Sequence, residues 1–113
     1  MELQYNEIEN NIRLIKLIGR LDISGVSAIE SQFSDYSFGE TPRVIVDLSE
    51  VEFLASIGIR LLTLNAKSIA NRGGRMILLN PKPDIKGVLD ITGIPAIIPI
   101  YHDLQSAVAA LKA

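Results

Sequence analysis

Between Val46 and Leu62 the chain reads VDLSEVEFLASIGIRLL. An apolar strand runs through a short turn into a helical segment, and the turn carries a hydroxyl at Ser56 and a glycine at Gly58. A serine just before a helical run is a favoured N-cap, worth about 1 kcal/mol, because its oxygen accepts from an unpaired first-turn N–H. The same place suits an anion, since the free N–H groups and the positive end of the helix dipole favour negative charge. A phosphoryl group on Ser56 would add about −1.5 to −2 charges at neutral pH. On an interface that charge switches binding off without unfolding the domain. Gly58 costs a helix up to about 1 kcal/mol against alanine. It either lets helix and strand backbones pack closely or leaves room for a partner, and spacing alone leaves both readings open.

Other residues around the loop offer different chemistry. Asp47, Glu50 and Glu52 are carboxylates that an enzyme could use as acids or bases. Asp47, at the expected end of its strand, reads more simply as an acceptor that ties down the turn. His102 has no acidic or serine companion in its motif and reads as a surface or capping residue. Asp84 and Asp90 flank a short amphipathic segment, the first as a cap and the second on a solvated face. The run NRGGR lacks both the spacing and the Lys-Ser/Thr of a phosphate-binding loop. With one histidine and zero cysteines, disulfides, thiolate metal sites and cysteine nucleophiles are excluded. No metal or cofactor is expected.

The elements that must position Ser56 follow from apolar periodicity. LQYNEI and IRLIKLIG read as two strands joined by a tight turn at Glu9-Asn10-Asn11, where asparagine tolerates positive φ. The second is apolar on both faces, which predicts an interior strand covered on both sides. The spacing of Val26, Ile29 and Phe33 predicts a helix from about Val26 to Phe38, with Glu30 turned outward. RVIVDLS, Arg43 to Ser49, is a β-branched central strand. Leu62, Ala66 and Ile69 share a helical face over 57–71, and Gly73-Gly74 stops that helix. RMILLN is a further buried strand closed by Pro81 and Pro83. PDIKGVLDITG is a short helix with Ile85, Val88 and Leu89 on one face, ending at Gly93. AIIPIY reads as an edge strand, where Pro99 is tolerated. HDLQSAVAALK is a closing helix, with Asp103 as cap and Leu104, Val108 and Leu111 inward. The order ββαβαβαβα predicts an α/β fold with a small sheet and parallel crossovers, about five strands and four helices. The turn holding Ser56 then lies at a strand's carboxyl end, where ligands and partners of open α/β sheets gather.

At 113 residues the chain is expected to form one domain. A composition 48% apolar and 21% charged predicts a folded protein. A net charge of −2 and a pI near 5.3 oppose nucleic-acid binding, which calls for a basic face. No stretch approaches the roughly 20 apolar residues of a membrane span. The acidic, polar start MELQYNEIEN does not read as a signal peptide. A cysteine-free, signal-free chain is expected in the cytoplasm.

Three segments together, IRLIKLIGRLD, VIVDLSEVEFLASIGIRLL and GGRMILLNPKPDIKGVLDITGI, make nearly the whole chain resemble the STAS domain, the family of bacterial anti-sigma factor antagonists. The resemblance implies one STAS domain over 1–113 with a STAS-like mixed sheet. It implies a regulator of transcription without catalysis of its own, which binds a serine kinase that doubles as an anti-sigma factor. That kinase, using ATP and magnesium, phosphorylates the antagonist on a serine in this loop and releases it, and a PP2C-type phosphatase reverses the step. Aligned on FLASIGI, the phosphoacceptor falls on Ser56. Asp22, in GRLD, matches an acidic position at the same end of the sheet that helps form the kinase-facing surface. Leu54, Ile57, Gly58 and Arg60 are expected to add contact area. The family's commonest pattern reads Asp-Ser-Ser-Gly or Asp-Ser-Ala-Gly, whereas this chain has Ala55-Ser56-Ile57-Gly58, without the acid beside the acceptor.

Two alternatives come from other classes. STAS domains also serve as accessory subunits of transport or stress-sensing complexes, where no phosphorylation is needed. The third reading is a small enzyme built on Asp47. Nucleotide binding is a further possibility for an α/β unit of this kind, although fold alone does not establish it.

Overall fold

The computed structural model, which describes residues 1–112 apart from the Asn10 side chain, has the order ββαβαβαβα. Strands β1 (Glu2–Ile8) and β2 (Ile12–Leu21) form an antiparallel hairpin. Its turn is a 3-10 segment, Glu9–Asn11, in which Asn11 takes a φ of 60°, a region asparagine enters more readily than other side chains. Strands β3 (Arg43–Leu54), β4 (Arg75–Leu79) and β5 (Ile100–Tyr101) then add in parallel. The sheet order is β1-β2-β3-β4-β5. Each parallel step is bridged by a helix, α1 (Ile23–Tyr36), α2 (Ser56–Asn71) or α3 (Pro83–Ile91), and α4 (Leu104–Lys112) closes the chain. Five strands in a mixed sheet with four helices is the architecture that the periodicity predicts.

Two apolar layers hold this arrangement. On one face, Val26, Ile29 and Phe33 of α1, Leu62 and Ile69 of α2 and Leu89 of α3 pack with Ile15, Leu17 and Val46 of the sheet. On the other, Ala107, Val108 and Leu111 of α4 meet Ile12, Ile45 and Ile77. This double coverage explains why β2 is apolar on both sides. Its second cover is incomplete, because α4 is short and leaves Leu14 and Ile18 half-buried.

Several boundaries move. Helix α1 starts at Ile23 and stops at Tyr36, and Phe38 lies beyond it with 75% of its surface exposed. Leu104, expected to face inward, is 41% exposed, and Ala107 takes the inward place. The edge strand shrinks to Ile100–Tyr101, preceded by a 3-10 turn at Ile94–Ala96, while the Pro99 carbonyl accepts from Leu78 N–H at 2.9 Å.

The largest correction concerns β3, which does not end at Ser49 but continues to Leu54. Its register with β2 shifts twice, between Lys16 and Ile18 and again between Gly19 and Arg20, where β3 carries an extra residue each time. Each such bulge bends the strand and breaks the two-residue alternation. The buried residues of this segment are accordingly Leu48, Val51 and Leu54, three apart. That spacing does not read as a strand, which is why the sequence pattern loses β3 after Ser49.

Candidate functional site

The carboxyl ends of β2 and β3 lie side by side and each feeds a helix after almost no turn. Leu21 pairs with Leu54, and Ala55 N–H donates to the Leu21 carbonyl at 3.1 Å. Asp22 caps α1, and Ser56 opens α2. The two helix N-termini are thereby fixed next to each other at one end of the sheet.

They are finished differently. The Asp22 carboxylate accepts from Gly25 N–H at 2.8 Å, a side-chain cap of the usual kind. This hydrogen bond, with Arg20 adding to it, holds the Asp22 carboxyl below the ordinary carboxylate range. On α2 the N-cap is Ala55, which has no side chain able to accept, and Ser56 is the first helical residue. Ser56 therefore does not cap the helix. Its side chain is exposed, and among the described residues its hydroxyl makes no hydrogen bond. The capping reading of this serine is overturned, and the oxygen stands uncommitted on the surface.

The third residue of each helix is a glycine pressed against the end of β2. A Cβ on Gly25 would lie 1.9 Å from the Arg20 carbonyl oxygen, and one on Gly58 would lie 2.9 Å from that of Leu21. Both glycines are buried. Gly58 thus serves helix–strand packing and offers no area to a partner. Leu54, 6% exposed, belongs to the core and lies under the helix start. These two residues, expected at a contact surface, shape it from below. Ile57 is half-buried and Arg60 exposed. Together with Val26, Glu30 and Leu64 they line a groove of about 570 Å³ between α1 and α2.

Sequence reading passed over Gly25, Arg20 and Phe53. The first was detectable, because Asp22-x-x-Gly25 and Ala55-x-x-Gly58 place cap and glycine at one spacing. The other two depend on pairing across strands. Arg20 is opposite Phe53 in the register, and its guanidinium carbon sits 4.2 Å from the Phe53 ring centroid, within the range of a cation–π contact. Its Nε donates to Asp22 Oδ2 at 3.3 Å.

Of the carboxylates considered for an enzyme, Asp47 and Glu50 both lie within electrostatic reach of Lys16. Asp47 lies inside β3, half-buried, and its Oδ1 accepts from Ser49 N–H at 2.9 Å. Glu50 is paired with Lys16 and Glu52 is exposed. Asp84 sits in the first turn of α3 without a side-chain capping bond, whose N-cap is Lys82, so it is not the cap expected. Asp90 pairs with Lys86 on the solvated face at 3.0 Å, and Asp103 caps α4 through Ser106 N–H at 2.8 Å. His102 is exposed. Among the described residues no cluster of acidic or histidine side chains could hold a metal, and no helix is long and apolar enough to cross a membrane.

Comparison with known proteins gives a consistent result. The profile of the STAS domain matches residues 4–107. The chain is 30% identical to the anti-sigma F factor antagonist of Lysinibacillus sphaericus, over 83% of this chain and 81% of that protein. It is similar in structure to an anti-sigma-factor antagonist (STAS) domain protein from Planctomyces limnophilus, with a TM-score of 0.86 and 29% identity over 96% of each chain. The Bacillus cell fate determinant SpoIIAA, solved in its phosphorylated form, shares the fold at a TM-score of 0.70 and 24% identity, over 96% of this chain and 98% of that one.

Proposed function

The chain belongs to the STAS domain family, and from that premise we propose that it works as an anti-sigma factor antagonist switched at Ser56. In this reading it docks a serine kinase that is also an anti-sigma factor, through the face formed by Asp22, Ser56, Ile57 and Arg60. Docking frees the sigma factor. The kinase then transfers a phosphoryl group from ATP. Ser56 Oγ bonds to the γ-phosphorus as the bond to ADP breaks, and the hydroxyl proton leaves to the kinase's base. The new dianion sits on the docking face and the partners separate. A PP2C-type phosphatase hydrolyses the phosphoserine and resets the module. The chain is the acceptor of this chemistry and not its catalyst.

One observation carries the reading: the Ser56 hydroxyl is exposed and, among the described residues, unbonded at the head of α2, beside the capped head of α1. A hydroxyl spent on capping or buried in the core would be closed to a kinase. Supporting it, the open first turn of α2 tolerates an added negative charge without loss of fold. The absence of an acid at Ala55 bears on which kinase is recognised and leaves the acceptor intact.

The test is intact-mass analysis after incubation with the cognate kinase, magnesium and ATP. A gain of one phosphate, mapped to Ser56 and missing in Ser56→Ala, is the expected result. A protein that binds the kinase stably yet never gains mass would instead be the non-phosphorylated accessory subunit.

A further inference from the structure

Arg20 is held in place with most of its donor capacity unused. Its side chain is 59% exposed, yet it is not loose. The guanidinium lies 4.2 Å from the Phe53 ring centroid, and Nε is tied to Asp22 at 3.3 Å. Among the described residues, its two terminal nitrogens donate to nothing. A guanidinium oriented by a ring and a carboxylate, with its fork open, is the arrangement that takes a phosphate oxygen pair.

The fork lies at the end of the sheet where Ser56 opens α2. Phe53 and Ser56 are separated only by Leu54 and Ala55, a span of at most about 11 Å even if extended. The step is held against β2 by Ala55 N–H on the Leu21 carbonyl. Resting on the phosphorylation proposed above, we propose that Arg20 is the intramolecular receptor for the phosphoryl group on Ser56, a positioning residue that fixes the modified serine on its own domain. Before modification Arg20 is parked between Phe53 and Asp22. Afterwards its fork turns to the phosphate and the Asp22 carboxylate loses its counter-charge. The docking face then carries a dianion that Arg20 offsets only in part, beside an Asp22 carboxylate no longer paired, where before it presented one neutralised pair.

The charged groups of the docking face set the ionisation of the phosphate. Arg20 and Arg60 favour the dianion, and Asp22 opposes it. Arg60 is the natural competitor, because it follows Ser56 by four residues on α2, one turn along the same helix face. Among the described residues it has no orienting partner comparable to the Phe53 ring.

The experiment uses the full chain with phosphoserine installed at position 56 by genetic encoding, and follows the second phosphate ionisation by phosphorus-31 NMR. A free phosphoserine titrates at about 6. The expected result is a rise of the midpoint in Arg20→Gln relative to wild type, a smaller rise in Arg20→Lys, and little change in Arg60→Gln. Phe53→Leu, which removes the ring and keeps the cation, raises it by less than Arg20→Gln. Identical titrations in wild type and Arg20→Gln, or a midpoint that moves with Arg60→Gln alone, overturn the inference. These results leave the kinase assay untouched, so a failed receptor and a failed phosphorylation switch are told apart.

Discussion

The backbone of Gly58 runs so close to Leu21 that a Cβ at position 58 would meet the Leu21 carbonyl oxygen at 2.9 Å and the Leu21 Cβ at 3.0 Å. Neither atom is the movable end of a side chain. Gly58→Ala gains up to about 1 kcal/mol of helix propensity but overpacks a backbone contact, which costs about 1–3 kcal/mol. The expected net effect is a loss of about 1 kcal/mol, read as a lower urea midpoint at unchanged m-value. Gly25→Ala is expected to be worse, since its Cβ would lie 1.9 Å from the Arg20 carbonyl oxygen.

The opposite outcome is expected inside α3. A Cβ on Gly87 meets nothing within 4 Å, so Gly87→Ala gains propensity without a steric charge against it. It should stabilise the protein by about 0.5–1 kcal/mol. In a domain of this size each kcal/mol raises Tm by roughly 4 °C, and calorimetry checks the sign directly.

At the other end of the sheet, two arginines share one loop. Arg13 Nη1 donates to the carbonyls of Tyr36 and Phe38 at 2.9 and 2.6 Å. Arg72 Nη1 donates to those of Ser37 and Gly39, both at 2.8 Å. The four consecutive carbonyls from the last residue of α1 to Gly39 thus alternate between a cation from β2 and one at the end of α2. Arg13→Ala and Arg72→Ala are each expected to cost about 1–3 kcal/mol, the range for hydrogen bonds to charged groups. Because both act on the same segment, the double variant should lose less than the sum.

Acid should unfold the protein partly through Asp22. Gly25 N–H first, and Arg20 second, hold its carboxyl below the ordinary value of 3.8, so the fold favours the charged form. The stability this brings is complete above the unfolded-state value and drains away as pH falls through the lower folded-state value. Asp103, held down by Ser106, and Glu50, held down by Lys16, act in the same direction. Asp22→Asn retains a good N-cap but has no charge to lose. Its deficit relative to wild type should be largest near neutral pH and shrink as pH drops below about 4. Urea titrations of both proteins across that range test it, and a constant deficit would refute the ionic part.

What the sequence discloses follows from the range of each interaction. Runs such as Val26, Ile29 and Phe33, or Leu62 and Ile69, are local patterns, and they place the helices before any fold is known. The strand–helix alternation then puts Ser56 at the carboxyl end of β3. The tail of β3 is hidden because two bulges space Leu48, Val51 and Leu54 by three. That one misreading propagates: with the strand ended at Ser49, Ser56 looks like a cap. In the folded chain Ala55 holds that position. Leu54 looks available for the same reason, although the bulged strand turns it inward, and Gly58 is buried in the first turn of α2 against Leu21. The pairing of Arg20 with Phe53 depends on register across 33 residues, shifted twice, and no local pattern encodes it.

Ser56→Glu separates the fold from the switch. The glutamate would occupy the first position of a helix whose N-cap supplies no acceptor. A carboxylate there is worth about 0.3–1 kcal/mol through the unpaired N–H groups and the helix dipole, so Tm is expected to hold or rise. Binding to the anti-sigma kinase is expected to fall at least about tenfold, or about 1.4 kcal/mol, because the charge is brought onto a face that docking must desolvate. Stability and affinity then move in opposite directions in a single variant, which a damaged fold cannot produce. Ser56→Gln, nearly isosteric and uncharged, is the control: it should bind closer to wild type than Ser56→Glu does. Equal losses in the two would mean that bulk at the head of α2, and not charge, governs the contact, and the electrostatic switch would have to be abandoned.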